Sequence, residues 1–204
     1  MDTRSTILNA AVQVFSQHGF RGSTTRRIAD AASVNEVTIF RYFGSKEALL
    51  QEAIRGSDGN AFTNPLPADP QNPADELTQW CSAVVTHLHE RSSVIRKCMG
   101  EMEERPELGD HAVEAPVRAT NDLCNYFCGL RSKGFTDEDF DPAVASAMLI
   151  GALFHDAMGR DMMPGAYPNP ATEAPGKYAR LILRALGVRD VAPDTSQRRI
   201  TTTI

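Results

Sequence analysis

Residues 24–43, TTRRIADAASVNEVTIFRYF, decide the fold of the N-terminal part of the chain. They predict two short helices joined by a tight turn. Thr24 and Asn35 are suited to begin these helices, because their side chains accept hydrogen bonds from free N–H groups of a first turn. Ile39 and Phe43 lie on the inward side of the second helix. This geometry matches a helix-turn-helix, whose second helix offers its N-terminal residues to base edges in the DNA major groove.

The flanking segments extend this prediction. Residues 6–19 form an amphipathic pattern that ends at Gly19, a residue typical of helix C-termini. After the second short helix, Ser45 is suited to begin a further helix, and Glu47 favours the positive end of that helix. The free N–H groups there, with Lys46 beside them, would suit a phosphate.

The side chains predicted to face DNA come from both short helices and from the start of the next one. They are Thr25, Arg26, Asn35, Glu36, Val37, Thr38, Phe40, Arg41, Tyr42 and Lys46. Glu36 has two interpretations: it favours the helix N-terminus as any acid in a first turn does, or it accepts from a cytosine N4 and selects sequence. The first is the preferred one.

The N-terminal segment resembles the TetR family of bacterial transcriptional regulators over roughly residues 4–55. The residues that carry the resemblance are Ile7-Leu8-Asn9-Ala10-Ala11, Phe15, Gly19-Phe20, Thr24-Thr25, Ile28-Ala29, Val34, Thr38-Ile39-Phe40-Arg41-Tyr42-Phe43 and Ser45-Lys46-Glu47-Ala48-Leu49. Two positions depart from the family pattern, Ser33 where glycine is usual and Phe40 where tyrosine is usual. The resemblance implies a homodimer with a four-helix interface and a small-molecule cavity in the C-terminal helices.

Composition and charge agree with a soluble, cytoplasmic protein, and the resemblance implies a bacterial, nucleoid-associated one. Apolar residues make up 42% and charged residues 23%, which is ordinary for a globular chain. No transmembrane helix or signal peptide is predicted, and the four cysteines predict reduced thiols in a cytosol. The net charge of −5 divides into +2 for residues 1–55 (seven basic, five acidic) and −7 for the rest (14 basic, 21 acidic). Phosphate attraction depends on the local basic patch, so the total does not exclude DNA.

The predicted fold is all-α, with three parts. Residues 1–55 form the helix-turn-helix domain, residues 56–188 an effector-binding and dimerisation domain, and residues 189–204 a flexible tail. Loops are predicted at 57–73 and 161–175, which are rich in Pro and Gly. The helices beyond the first domain are predicted at 74–90, 94–104, 112–132, 141–158 and 176–186. The helix at 141–158 is apolar almost all round, which predicts burial on more than one face.

The last two long helices are the predicted dimer surface, because a helix-turn-helix commonly needs two copies to read a two-fold operator. The alternative is that these helices pack only within one chain. The predicted interface residues are Ala143, Ala147, Gly151, Phe154, Tyr178, Leu181, Ile182 and Ala185.

The C-terminal part also contains large, adaptable side chains that suit an apolar ligand pocket. The alternative for each of them is plain core. They are Trp80, Val84, His87, Met99, Met102, Leu123, Phe127, Met148, Phe154 and Met158. His87 and Trp80 are the candidates for a polar contact with a ligand.

No cofactor, metal or catalytic site is predicted. Cys124 and Cys128 are spaced to share a metal, but buried structural thiols are the preferred interpretation. Adjacent helical residues such as His155 and Asp156 do not face each other, so they are not interpreted as a catalytic pair. The favoured function is a repressor that binds a palindromic operator and is released by an apolar or amphipathic small molecule. The alternatives are a DNA-binding regulator controlled by a protein partner or by nothing, and an enzyme.

Overall fold

The computed structural model describes residues 2–58, 65–105 and 114–189, with only the backbone described at 56–58. Within these ranges the chain forms nine α-helices and two 3-10 turns and contains no strand, so the predicted all-α class is confirmed. The helices are α1 Thr3–Gly22, α2 Thr25–Ala32, α3 Glu36–Phe43, α4 Lys46–Asp58, α5 Pro73–Glu90, α6 Ser92–Glu101, α7 Glu114–Ser132, α8 Pro142–Gly159 and α9 Ala174–Ala185.

The chain divides into two compact units. The first unit consists of residues 1–63 and 87–118, and the second of residues 64–86 and 119–204. Helix α6 therefore belongs with the N-terminal helices, whereas the predicted boundary lay at residue 55. The predicted tail, apart from Arg189, and residues 59–64 of the predicted loop lie outside the described residues.

The first unit has one hydrophobic core to which α1, α2, α3, α4 and α6 all contribute. Ile7, Ile28, Ile39 and Leu49 are completely buried there. Helix α6 contributes Val94 and Cys98. The two short helices are thereby held by apolar burial, since isolated helices of eight residues are marginal in water.

The predicted helix starts are confirmed by side-chain caps. Thr24, Asn35 and Ser45 each accept a hydrogen bond from a backbone N–H two or three residues further on, at 3.2, 3.0 and 3.1 Å. Asp141 caps α8 in the same way at 2.8 Å. Ser33 adopts the left-handed conformation, with φ 54° and ψ 41°, at the position where the family usually has glycine.

Several predicted boundaries were wrong, and the helix predicted at 94–104 is Ser92–Glu101. Helix α4 continues to Asp58, so the predicted loop does not begin at residue 57. The segment 161–175 contains 3-10 turns at Pro164–Ala166 and Ala171–Glu173, and α9 begins at Ala174. Pro175 is compatible with that earlier start, because the first turn of a helix does not need its N–H.

The second unit buries large side chains from α5, α7 and α8. Leu77, Leu123, Phe127 and Leu153 are completely buried, and Trp80 is 1% exposed. Helix α8 is the one described helix long and apolar enough to cross a membrane by length and composition, with a hydropathy of 1.2 over 18 residues. Core helices of soluble proteins pass the same test, so this is weak evidence for a membrane span.

A buried charge network joins α8 to the segment that follows it and to α9. The Asp156 carboxylate is 2% exposed and accepts two hydrogen bonds from Arg160, both of 2.6 Å. Tyr178 donates to the same carboxylate at 2.9 Å. Arg160 also donates to the Pro168 carbonyl at 3.0 Å. The hydrogen bonds to Asp156 raise the pKa of Arg160, so this guanidinium stays charged and paired.

Candidate nucleic-acid interface

Helix α3 combines a buried anchor with an exposed row of large side chains. Ile39 is completely buried, which fixes the helix on the first unit. On the outward side Val37 is 72%, Phe40 48% and Tyr42 39% exposed, and Arg41 is exposed as well. Large apolar groups at the surface of a monomer commonly mark a binding surface. The exposed row suits base edges and thymine methyl groups.

The basic side chains of this surface come from two helices. Arg26 on α2 and Arg41 on α3 are both exposed. The Arg41 guanidinium lies 5.3 Å from the Tyr42 ring centroid, which is within cation–π range. Thr38 is half-buried and Asn35, which caps α3, is exposed. These predicted DNA-facing residues therefore lie on or beside one helix.

The structure assigns Thr25 and Glu36 a contact that the sequence did not reveal. The Thr25 hydroxyl donates to the Glu36 carboxylate at 2.5 Å, and so connects the start of α2 to the start of α3. A hydroxyl has one proton to donate, so Thr25 cannot give that proton to a phosphate in this arrangement. Glu36 thus has a structural partner in addition to its place in the first turn of α3.

Lys46 lies against α1. Its ammonium group donates to the Phe20 carbonyl at 2.9 Å and stands 4.1 Å from the centre of the Phe20 ring. The side chain is half-buried. An ammonium has three protons, so this bond leaves two for other acceptors such as a phosphate.

The residues predicted to bind a ligand do not form a single buried set. Trp80, Val84, Leu123, Phe127 and Met158 are buried in the second unit, and Phe154 is half-buried in that unit. By contrast, Met148 is 65% and Met99 is 55% exposed, so these two do not suit the lining of an enclosed pocket. Met148 and Met99 were predicted as pocket residues from residue type alone, and residue type does not show whether a helical side chain points into the core or toward solvent.

The other predicted ligand residues, His87, Met99 and Met102, belong to the first unit. His87 is half-buried, and burial is the main reason that its pKa is lowered, with nearby Arg91 adding to the effect. The first unit also has a groove of about 440 Å³. It is open to solvent, unlike the predicted enclosed pocket, and most of its lining residues are polar or charged: Ser16, Ser93, Arg96, Lys97, Gly100 and Glu101.

The predicted dimer residues fall mostly on an open face of α8 and α9. Ala143, Ala147, Gly151, Leu181 and Ala185 are exposed, while Phe154 and Tyr178 are half-buried. Ile182 is only 8% exposed, so it packs inside its own unit.

The same face includes an apolar residue that was not among the predicted interface residues. Val144 is 55% exposed and lies on α8 beside Met148, which had been assigned to the ligand pocket. Within a single chain, α8 is therefore buried on one side and open on the other. An apolar face left open in one chain is the pattern expected of a surface that a second chain covers.

The described ranges contain no group of three or more His, Cys, Asp or Glu side chains placed to hold a metal ion. The Cys124 thiol lies 3.3 Å from the Ser146 hydroxyl, and Cys128 is exposed. The two thiols thus have different surroundings.

Comparison with known proteins gives consistent results. Residues 7–53 match the family model of the bacterial regulatory proteins of the tetR family. The HTH-type transcriptional regulator YvkB of Bacillus subtilis (strain 168) is 28% identical over 132 residues, which cover 65% of this chain and 69% of that protein. The HTH-type transcriptional repressor NicS of Pseudomonas putida is 51% identical over 48 residues, 24% of this chain and 23% of NicS.

The fold extends further than these sequence matches. The structure of the fatty acid degradation regulator FadR from Bacillus halodurans superimposes with a TM-score of 0.70 and 22% identity, covering 93% of this chain and 98% of FadR. At that identity the likeness concerns the fold alone. Together with the family match over residues 7–53, these findings show an N-terminal helix-turn-helix domain of the TetR family in a chain whose curated relatives are HTH-type transcriptional regulators.

Proposed function

We propose that this regulator is a homodimeric repressor that reads a two-fold operator through α3 and is released by a small molecule bound in its second unit. The observation that carries the proposal is the exposed row Val37, Phe40, Arg41 and Tyr42 on a helix anchored by a completely buried Ile39. A rigid helix with outward methyl, aromatic and guanidinium groups meets the chemical demands of the major groove, where arginine pairs with guanine and apolar groups meet thymine methyls.

Local charge supports the same assignment. Residues 1–55 carry a charge of +2 within a chain of −5. Arg26 and Arg41 are exposed on the helices that we propose to face DNA. Phosphate contacts provide much of the affinity of such proteins and make it fall with salt.

Lys46 provides a test of how far this surface extends. If one of its two remaining protons binds a phosphate, Lys46→Ala lowers the salt slope of DNA binding by about one unit for every sequence. If Lys46 serves only to hold Phe20, the substitution lowers thermal stability and leaves the salt slope unchanged.

The proposed dimer forms through the exposed apolar face of α8 and α9. A two-fold protein places its recognition helices about one helical turn of DNA (~34–36 Å) or a multiple apart. Dimerisation is therefore part of the proposed operator recognition.

The proposed effector is apolar or amphipathic, because the buried side chains of the second unit that remain candidates are Trp80, Val84, Leu123, Phe127 and Met158. Aromatic rings and methionine suit an adaptable apolar site. Trp80 is the only tryptophan of the chain, so its fluorescence reports on this region without labelling. The second candidate function is a DNA-binding regulator without small-molecule control.

The DNA part of the proposal is tested by selecting duplexes from a random-sequence library with the full chain. We expect a two-fold related sequence, and we expect Arg41→Ala to lower affinity for it by about 1–3 kcal/mol with relaxed preference at one position of each half-site. Arg131→Ala is the matched control, because it removes the same charge from an exposed arginine of α7. Equal losses for the two variants would contradict base reading by Arg41.

The effector part is tested by a compound screen on Trp80 fluorescence followed by calorimetry with and without the selected duplex. Coupling is reciprocal, so a compound that weakens DNA binding tenfold must bind tenfold more weakly to the complex, which is ~1.4 kcal/mol in each direction. Equal affinity for free protein and complex would exclude release by that compound. If no compound binds differently to the two states, the second candidate function is favoured.

A further inference from the structure

The peptide groups on either side of Phe20 are held from two directions within the first unit. The Phe20 N–H donates to the Glu101 carboxylate at 2.8 Å, and the Phe20 carbonyl accepts from the Lys46 ammonium at 2.9 Å. Glu101 is the last residue of α6, and Lys46 is the first residue of α4. One residue at the end of α1 therefore connects two helices that are far apart in sequence.

Gly19 makes the Glu101 contact possible. Its φ of 65° and ψ of −173° lie in a region that is essentially restricted to glycine. This conformation interrupts α1 immediately before the Phe20 N–H. A Cβ atom at Gly19 would stand 2.2 Å from the Glu101 carboxylate oxygen, so the carboxylate occupies the space that a side chain would need.

Charged groups surround the Phe20 ring, which is only 5% exposed. The Lys46 ammonium lies 4.1 Å from the ring centroid, and the Arg105 guanidinium carbon lies 3.8 Å from it. Nearby, Arg21 forms an exposed ion pair with Glu104 at 3.4 Å. The end of α1 is thus fixed by a specific polar arrangement in addition to apolar packing.

This arrangement brackets the DNA-reading helices. Phe20 precedes the start of α2 by five residues, and Lys46 begins the helix that follows α3. Between Phe20 and α2, the buried Ser23 hydroxyl donates to the Gly19 carbonyl at 2.6 Å, which holds the connecting turn. Both the entry to the helix-turn-helix and the exit from it are therefore bonded to Phe20.

We propose that Glu101 is a positioning residue for operator recognition: by holding the Phe20 N–H, it sets the orientation in which α2 and α3 are presented to DNA. This inference rests on the proposed DNA-reading function and adds a residue of α6 to it. Loss of the bond should reduce the preference for the selected sequence, since base contacts demand a fixed helix orientation. Binding to random DNA depends on charge and should change little.

Two substitutions separate the hydrogen bond from the charge. Glu101→Gln keeps an acceptor oxygen at the same reach and removes the charge, whereas Glu101→Asp keeps the charge and shortens the side chain by one methylene. Glu103→Ala is the control, because Glu103 is an exposed acid of the same segment. All variants are compared as full chains, at a temperature well below their unfolding transitions.

The readout is the ratio of affinities for the selected duplex and for a random duplex of the same length. We expect Glu101→Asp to lower this ratio about tenfold, the low end for a hydrogen bond to a charged group. Glu101→Gln and Glu103→Ala should keep it within about twofold of wild type. Hydrogen exchange gives an independent readout, because the Phe20 amide should lose protection in the Asp variant and keep it in the Gln variant.

The outcomes distinguish this inference from the function on which it rests. A wild-type chain without preference between the two duplexes would overturn the proposed function and this inference with it. A wild-type preference that Glu101→Asp leaves unchanged, while the Phe20 amide exchanges freely, would overturn the inference alone. A loss of preference in the Gln variant that the Asp variant does not share would also overturn it, since the charge and not the bond would then be the cause.

Discussion

Asp156→Ala should destabilise the second unit strongly. The substitution removes a carboxylate that is 2% exposed and that accepts two hydrogen bonds from Arg160 and one from Tyr178. Breaking a buried ion pair costs about 3–5 kcal/mol, because the remaining charge is left without compensation. The Arg160 side chain is 18% exposed and can reach water in part, so we expect the low end, about 3 kcal/mol.

For a chain of this length, 1 kcal/mol corresponds to about 2–4 °C in melting temperature, so the expected shift is a decrease of about 6–12 °C. The assay is thermal unfolding followed by circular dichroism at one fixed protein concentration, because the proposed dimerisation would make the transition concentration-dependent. Asp161→Ala is the matched control, since Asp161 is an exposed aspartate only five residues away. If Asp156→Ala melts within about 2 °C of wild type, our assignment of a stabilising role to this network is refuted.

Three further predictions concern the dimer face, the α1 turn and a half-buried histidine. Gly151→Glu should yield folded monomers in sedimentation: a Cβ at Gly151 meets no atom within 4 Å in one chain, so the chain can fold, and the added charge would lie in the proposed interface. Gly165→Glu is the control, because a Cβ there is equally unobstructed, and it should stay dimeric. A dimeric Gly151→Glu variant would place the interface elsewhere. Gly19→Ala should lower the free energy of unfolding by at least about 1–3 kcal/mol from backbone strain alone. The control Gly100→Ala in α6 should raise the free energy of unfolding by about 0.5–1 kcal/mol. Equal denaturant midpoints for the two variants would contradict the strain argument. The pKa of His87 lies below its ordinary value of 6.5, so the unfolded chain takes up this proton first and stability falls as pH drops below about 6.5. His87→Gln should make that fall shallower in urea unfolding at pH 7.5 and 5.5, whereas the exposed control His89→Gln should not. Identical pH profiles for the two variants would contradict the prediction.

The parts of the fold that depend on neighbouring residues could be predicted from the sequence. Thr24, Asn35 and Ser45 cap their helices as predicted, because a cap involves residues only two or three positions apart.

Interactions between distant residues could not be predicted in this way. The Glu101 contact with the Phe20 N–H joins positions 81 residues apart, and no local pattern indicates it. The hydrophobicity of α8 showed that the helix is apolar but not which face its own chain covers, so exposed Met148 was assigned to a pocket.

The Asp156 network falls between these two cases. Its partner Arg160 lies four residues further on, a spacing at which helical side chains meet. Asp156 was interpreted only in relation to its neighbour His155, so its pairing with Arg160 was not predicted. The bond from Tyr178, 22 residues away, required the structure.

The central claim is that α3 reads DNA sequence, and a single titration tests it most directly. The full chain is titrated into a fluorescent duplex selected from random DNA, and then into a duplex with the same bases in scrambled order, both at about 0.15 M salt. Specific regulators of this kind bind their sites at least about 10³-fold more tightly than other DNA. We expect a preference of that size for the selected duplex, and equal affinity for the two duplexes would contradict the account.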